Sequence, residues 1–148
     1  MTRRGNTADP RVGVREIDHT ADVGIEVTAR DARELFREAA RGLFALIADT
    51  SRVGEVEERE LAAEGDGVEE LLHSWLCEAL ALFNSERFIG KSCAIALLDD
   101  KTVAGRLRGE RLDPDRHRFR TEIKGVTYHG FEVRRERGLW RARVIFDV

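Results

Sequence analysis

Cysteine, proline, tyrosine and methionine are all scarce in this chain: its 148 residues include two Cys, two Pro, one Tyr and one Met. The cysteines, Cys77 and Cys93, fall in a helical and a strand pattern and belong to no paired motif. A disulfide scaffold is thereby excluded, and buried reduced thiols in a cytoplasmic protein are expected. No apolar run approaches the ~20 residues needed to span a bilayer. The opening "MTRRGNTADPRVG" is basic, but no apolar segment follows it, so no secretory leader is expected. Residues 1–12 read as a loose, flexible tail. A strong charge of one sign is also missing. The formal net charge of −3 argues against a protein that lives on nucleic acid by itself.

What is present is the composition of a soluble globular domain, 42% hydrophobic and 36% charged. A single domain spanning 13–148 is long enough to bury roughly 70% of its unfolded surface. Charge is unevenly spread. Residues 1–100 carry 12 Lys and Arg against 21 Asp and Glu (−9), and residues 101–148 carry 13 against 7 (+6). A basic C-terminal third can meet phosphates or an acidic partner. Equally, its arginines can alternate along exposed strand faces for solubility.

Two strand patterns open the chain, near 12–18 and 22–29. "DARELFREAARGLFALIADT" then places Leu35, Phe36, Ala39, Ala40, Leu43, Phe44 and Ile47 on one helical stripe, with Asp31 as cap and Glu34 completing a capping-box-like pair. A charged strand near 54–64 reads as exposed or at an edge. "DGVEELLHSWLCEALALFNSE" is the second helix, its start marked by Asp66 and Glu69. His73 and Cys77 stand four apart on it. That spacing suits a metal, but two ligands without a third point to packing. From residue 92 the patterns are strands, with a turn at Asp99-Asp100-Lys101, a polar loop around Pro114, and a hairpin at Glu136-Arg137-Gly138 where Gly138 can take positive φ. The order β-β-α-β-α followed by antiparallel strands predicts an α+β fold, two helices packed on mostly antiparallel sheet in a single layered domain.

"IDHTADVGIEV" (17–27) raises a question of chemistry. Val23, Ile25 and Val27 alternate as in a half-buried strand, yet its entrance holds His19 and Asp22, poor strand formers. At the other end of the chain, "WRARVIFDV" puts Trp140, Ala142, Val144 and Phe146 on one face and Asp147 on the other. One Asp therefore starts a strand and one ends a strand, both on the non-core side. Two readings are open. They are two solvated acids, or they meet across neighbouring strands and are joined by a cation, for which oxygen ligands favour Ca²⁺, Mg²⁺ or Mn²⁺. The Val148 terminal oxygens could join such a cluster. Tyr128 and His129 in "KGVTYH" read as structural, with Tyr128 half buried and its hydroxyl bonded.

"HTAD" (19–22), "ELLHSWLCEAL" (70–80), "KGVTYH" (124–129) and the closing "FDV" (146–148) together resemble the archease family, over about residue 13 to the last residue. One departure is Gly125, where the family more usually has Ala. The resemblance implies a protein cofactor rather than an enzyme, one that helps the tRNA-splicing RNA ligase join 3′-phosphate and 5′-hydroxyl ends. It would do so by promoting guanylylation of the ligase histidine by GTP and repeated turnover. RNA would be met only through the ligase. By the same resemblance Asp22 and Asp147 are metal-binding acids, Val148 a further ligand and Lys124 an effector. His19 stands behind Asp22, orienting it, or simply packs. Two other classes stay open. A small metal-dependent hydrolase built on Asp22 and Asp147 lacks an evident nucleophile–base pair. A stand-alone RNA-binding or chaperone module lacks a string of exposed aromatics.

Overall fold

The alternating run at the start of the chain forms a hairpin. β1 (Gly13–Asp18) pairs antiparallel with β2 (Asp22–Ala29), with Gly13 opposite Thr28 and Asp18 opposite Val23. The computed structural model describes residues 9–18 and 22–148, without the Asp18 side chain. His19 and residues 1–8 of the expected tail lie outside them. Residues 9–12 make a turn in which Val12 N–H donates to the Asp9 carbonyl (3.0 Å) and Arg11 pairs with the Asp9 carboxylate at 2.7 Å.

α1 (Ala32–Ile47) starts where its cap predicts: the Asp31 carboxylate accepts the Glu34 N–H at 2.8 Å. Glu34 reaches back one residue further than a capping box would, to the Arg30 N–H at 2.8 Å, and its carboxylate also pairs with the Arg30 guanidinium at 2.7 Å. α2 (Val68–Glu86) differs from expectation. Its cap is Gly67 at φ 95°, with no side-chain hydrogen bond. Glu70, not Glu69, turns back to the Asp66 N–H (3.3 Å), while the Asp66 carboxylate is drawn away to Lys101 Nζ at 3.2 Å.

The remaining strands are β3 (Glu57–Glu64), β4 (Phe88–Leu98), β5 (Thr102–Arg111), β6 (Gly125–Glu136) and β7 (Leu139–Asp147). They complete two antiparallel sheets, one ordered β1-β2-β7-β6 and the other β3-β5-β4. The charged β3 is an edge strand, as its sequence foretold. β4 starts four residues earlier than its pattern, because Phe88, Ile89 and Gly90 are buried without alternation. In the β6–β7 turn both Arg137 (φ 55°) and Gly138 (φ 77°) are left-handed, as a two-residue hairpin turn with right-handed strand twist requires.

Each helix touches both sheets, and one core runs between them. At its centre Trp75 of α2 is fully buried, its indole N–H donating to the Phe36 carbonyl of α1 at 2.9 Å. Trp140 is only partly buried, with the Arg135 guanidinium 5.2 Å from its ring centroid. Cys93 is buried and Cys77 half-buried, and both are free thiols. Among the described residues no helix is long and apolar enough to cross a membrane.

Candidate metal centre

Strand pairing decides which end residues meet. Inward side chains Val23, Ile25, Val27 and Ala29 of β2 face Phe146, Val144, Ala142 and Trp140 of β7 in strict register. The same register sets Asp22, the first residue of β2, directly opposite Asp147, the last residue of β7. Opposed residues of antiparallel strands project from the same face with Cβ atoms about 4.5–5.5 Å apart. The two carboxylates, Asp22 half-buried and Asp147 exposed, thus share the face turned away from the helices. β6 closes the other side, with Gly125 opposite Asp147 and the Lys124 N–H donating to the Asp147 carbonyl at 2.7 Å. The strand order therefore gathers Asp22, Asp147 and the Lys124 backbone at one corner of the sheet.

Gly24 and Ile145 shape the approach to that corner. A Cβ on Gly24 would sit 2.5 Å from the Val144 carbonyl oxygen and 2.9 Å from Ile145 Cδ1. Into this gap the Ile145 side chain lies flat, which explains why it is 4% exposed on a face its strand parity assigns to solvent. Gly125 is a different case. A methyl there would meet only Asp147 Oδ2 at 3.8 Å, an ordinary contact, so the Ala usual in the motif would fit and its absence disturbs nothing.

The donor set suits a hard cation. Two carboxylates on one face supply oxygen and no sulfur or nitrogen, which is the chemistry of Ca²⁺, Mg²⁺ or Mn²⁺ rather than Zn²⁺. Among the described residues no group of three or more His, Cys, Asp and Glu side chains could hold a metal, so the carboxylates form an open pair. Val148 follows Asp147 directly and is 40% exposed. Lys124 is exposed, and no carboxylate among the described residues lies within ion-pair distance of its ammonium.

His73 and Cys77 face each other, Sγ to Nδ1 at 3.6 Å. No third metal ligand joins them among the described residues. The second ring nitrogen of His73 lies 3.0 Å from the Val126 carbonyl. That contact escaped the sequence reading, since nothing in either string links positions 53 residues apart. One reading is corrected. Tyr128 is 60% exposed, and its hydroxyl makes no hydrogen bond among the described residues. Its ring lies on the helix side with Val126, stacked on His73 by one face and open to solvent by the rest.

A model of the Archease protein family (MTH1598/TM1083) matches residues 15–148. Protein archease of Methanopyrus kandleri is 42% identical over 136 residues, covering 90% of this chain and 97% of that protein. The solution structure of Methanobacterium thermoautotrophicum protein 1598 superposes with a TM-score of 0.79 at 35% identity, covering 92% of this chain and 99% of the other. A crystal structure from Thermotoga maritima, described as an archease and possible chaperone, shares the fold at TM-score 0.64 and 20% identity, covering 98% of this chain and all of that one.

Proposed function

The chain belongs to the archease family, and from that premise we propose that it is a non-enzymatic activator of the cytoplasmic tRNA-splicing RNA ligase. In this reading it promotes guanylylation of the ligase histidine and its repeated turnover. The observation that carries the reading is the register of Asp22 against Asp147, beside the segment that bears Lys124. Two like charges held opposite each other destabilise a sheet unless something neutralises them. Asp22 and Asp147 would hold a divalent cation, with a Val148 backbone oxygen able to add a ligand, and that ion would supply positive charge to a nucleoside triphosphate. Lys124 adjoins the same corner through its backbone, and its exposed ammonium, with no carboxylate partner among the described residues, can take up triphosphate or pyrophosphate charge as it develops. His19, outside the described residues, would orient Asp22 in this scheme.

The corner lies where β2 begins and β7 ends, with Asp147 exposed, which suits presentation to another protein's site. The test is ligation and guanylylation by the partner ligase under limiting GTP, with and without this chain. Faster guanylylation and more than one turnover per ligase are expected. An unchanged ligase would sink the reading. Nucleotide or RNA turnover by the chain alone would favour the hydrolase, and tight salt-sensitive RNA binding would favour the RNA module.

A further inference from the structure

Strand β6 carries an irregularity that its neighbours do not need. It pairs regularly with β7 from Gly125 opposite Asp147 to Thr127 opposite Ile145, and again from Glu132 opposite Arg143 onward. Between those points β6 uses five residue steps where β7 uses two, so three residues are extra. Gly130 takes φ +72° to make the detour, and the Thr127 hydroxyl accepts the His129 N–H at 2.8 Å. An insertion of this kind gives up ladder hydrogen bonds and re-aims side chains, which is its usual role beside functional sites.

Here the aromatic side chains of the detour gather on one imidazole of α2. The Tyr128 ring stacks on His73 with centroids 3.7 Å apart and planes 6° from parallel, and Phe131 meets both rings edge-on at 5.5 and 5.9 Å. The His73 tautomer follows from its partners. A carbonyl can only accept, so Nε2 carries the hydrogen given to Val126, and Nδ1 receives the Cys77 thiol hydrogen. Every polar position of the imidazole is used, which makes it a fixed backing plate. Yet Tyr128 remains 60% exposed with its hydroxyl unbonded among the described residues. Were packing the purpose of this stack, the ring would be covered.

We infer that Tyr128, held rigid by His73, is the anchor by which the corner of the sheet grips its protein partner. The inference rests on the activator reading, and the partner it names is the ligase protein. Tyr128 lies three residues beyond Gly125, about 10 Å along the strand. Its ring is on the helix side of the sheet, whereas Asp22 and Asp147 are on the outer side. A partner receiving the end of the sheet touches both. A pre-ordered Tyr loses little entropy on binding, and such residues dominate interface energetics. Burial first, then the negative charge of Glu70, pushes the Tyr128 phenol up, and that charge favours a protein pocket over a phosphate backbone.

The test separates grip from chemistry. Stimulation of the ligase is titrated with wild type, Tyr128→Ala, His73→Phe and Lys124→Ala, alongside thermal melting and divalent-ion titration. Tyr128→Ala should raise the concentration for half-maximal stimulation about tenfold, the loss typical of an interface anchor. Its maximal stimulation, melting temperature and ion affinity should match wild type. Lys124→Ala should do the reverse, lowering the maximum at an unchanged half-point. His73→Phe keeps a ring under Tyr128 but loses the tie to Val126, so a smaller rise in the half-point is expected. Should that variant not fold, the exposed Tyr128→Ala change alone decides. An unchanged half-point for Tyr128→Ala overturns the inference and leaves the activator reading standing. No stimulation by wild type overturns both. Binding of a single-stranded RNA oligonucleotide by the chain alone, lost in Tyr128→Ala, would overturn the protein anchor in favour of base stacking.

Discussion

At the scale of single residues, the opposed acids make a prediction that needs no ligase. Without metal, Asp22 and Asp147 repel across β2 and β7, so Asp22→Asn or Asp147→Asn should melt at the same temperature as wild type or higher. With Ca²⁺ or Mg²⁺ the order should reverse. At about 100 times its dissociation constant an ion stabilises the folded state by about 2.7 kcal/mol. In a chain of this size that is a rise of roughly 5–10 °C. Wild type should show the rise and neither variant should. Melting curves with chelator and with each ion decide, and equal rises in all three proteins would remove the shared site. The nearby glycines divide just as clearly. Gly24→Ala pushes a methyl to 2.5 Å from the Val144 carbonyl oxygen and should cost roughly 1–3 kcal/mol in denaturant unfolding. Gly125→Ala has room and should leave stability unchanged.

At the scale of elements, legibility followed how local the deciding interaction is. α1 could be read because its stripe and its Asp31 cap lie within the same twenty residues. Asp31→Ala should accordingly cost about 1 kcal/mol, measurable as a drop in the chemical-denaturation midpoint with unchanged slope. The start of α2 misled because Lys101, distant in sequence, captures the Asp66 carboxylate and leaves Gly67 to turn the chain by its positive φ. Parity along β2 and β7 was sufficient to put Asp22 and Asp147 on the non-core side. It could not pair those strands, which are adjacent only through a long-range register. Least legible was the β6 insertion. A three-residue detour has no period, and the His73 ring that organises it belongs to another element. Gly130 was the one local sign of it.

Across the whole molecule, one buried charge cluster ties the polar loop after β5 to the sheet and should govern behaviour in acid. Glu110 is 9% exposed. Its carboxylate accepts the Gly54 N–H at 2.5 Å, meets His117 Nε2 at 3.2 Å and pairs with Arg116. The Asp113 N–H donates to His117 Nδ1 at 2.8 Å, so Nε2 carries the hydrogen that points at Glu110. The Gly54 N–H above all, with His117 and Arg116 adding to it, holds the Glu110 carboxyl below its ordinary value of 4.5. Because the folded-state value is the lower one, the ionised group binds fewer protons folded than unfolded. Its contribution is therefore present above about pH 4.5 and is lost as pH falls through the depressed folded value. Glu34, held down chiefly by Arg30, and Asp49, held down chiefly by Ser51, add losses of the same sign. Glu110→Gln keeps the shape but removes the charge-assisted bonds, and at pH 7 it should cost roughly 1–3 kcal/mol. The gap in melting temperature between wild type and Glu110→Gln should be widest near neutrality and close progressively below pH 4.5, where wild type protonates. A gap of constant width from pH 7 to pH 3 would show that the ionised form of Glu110 is not what stabilises this cluster.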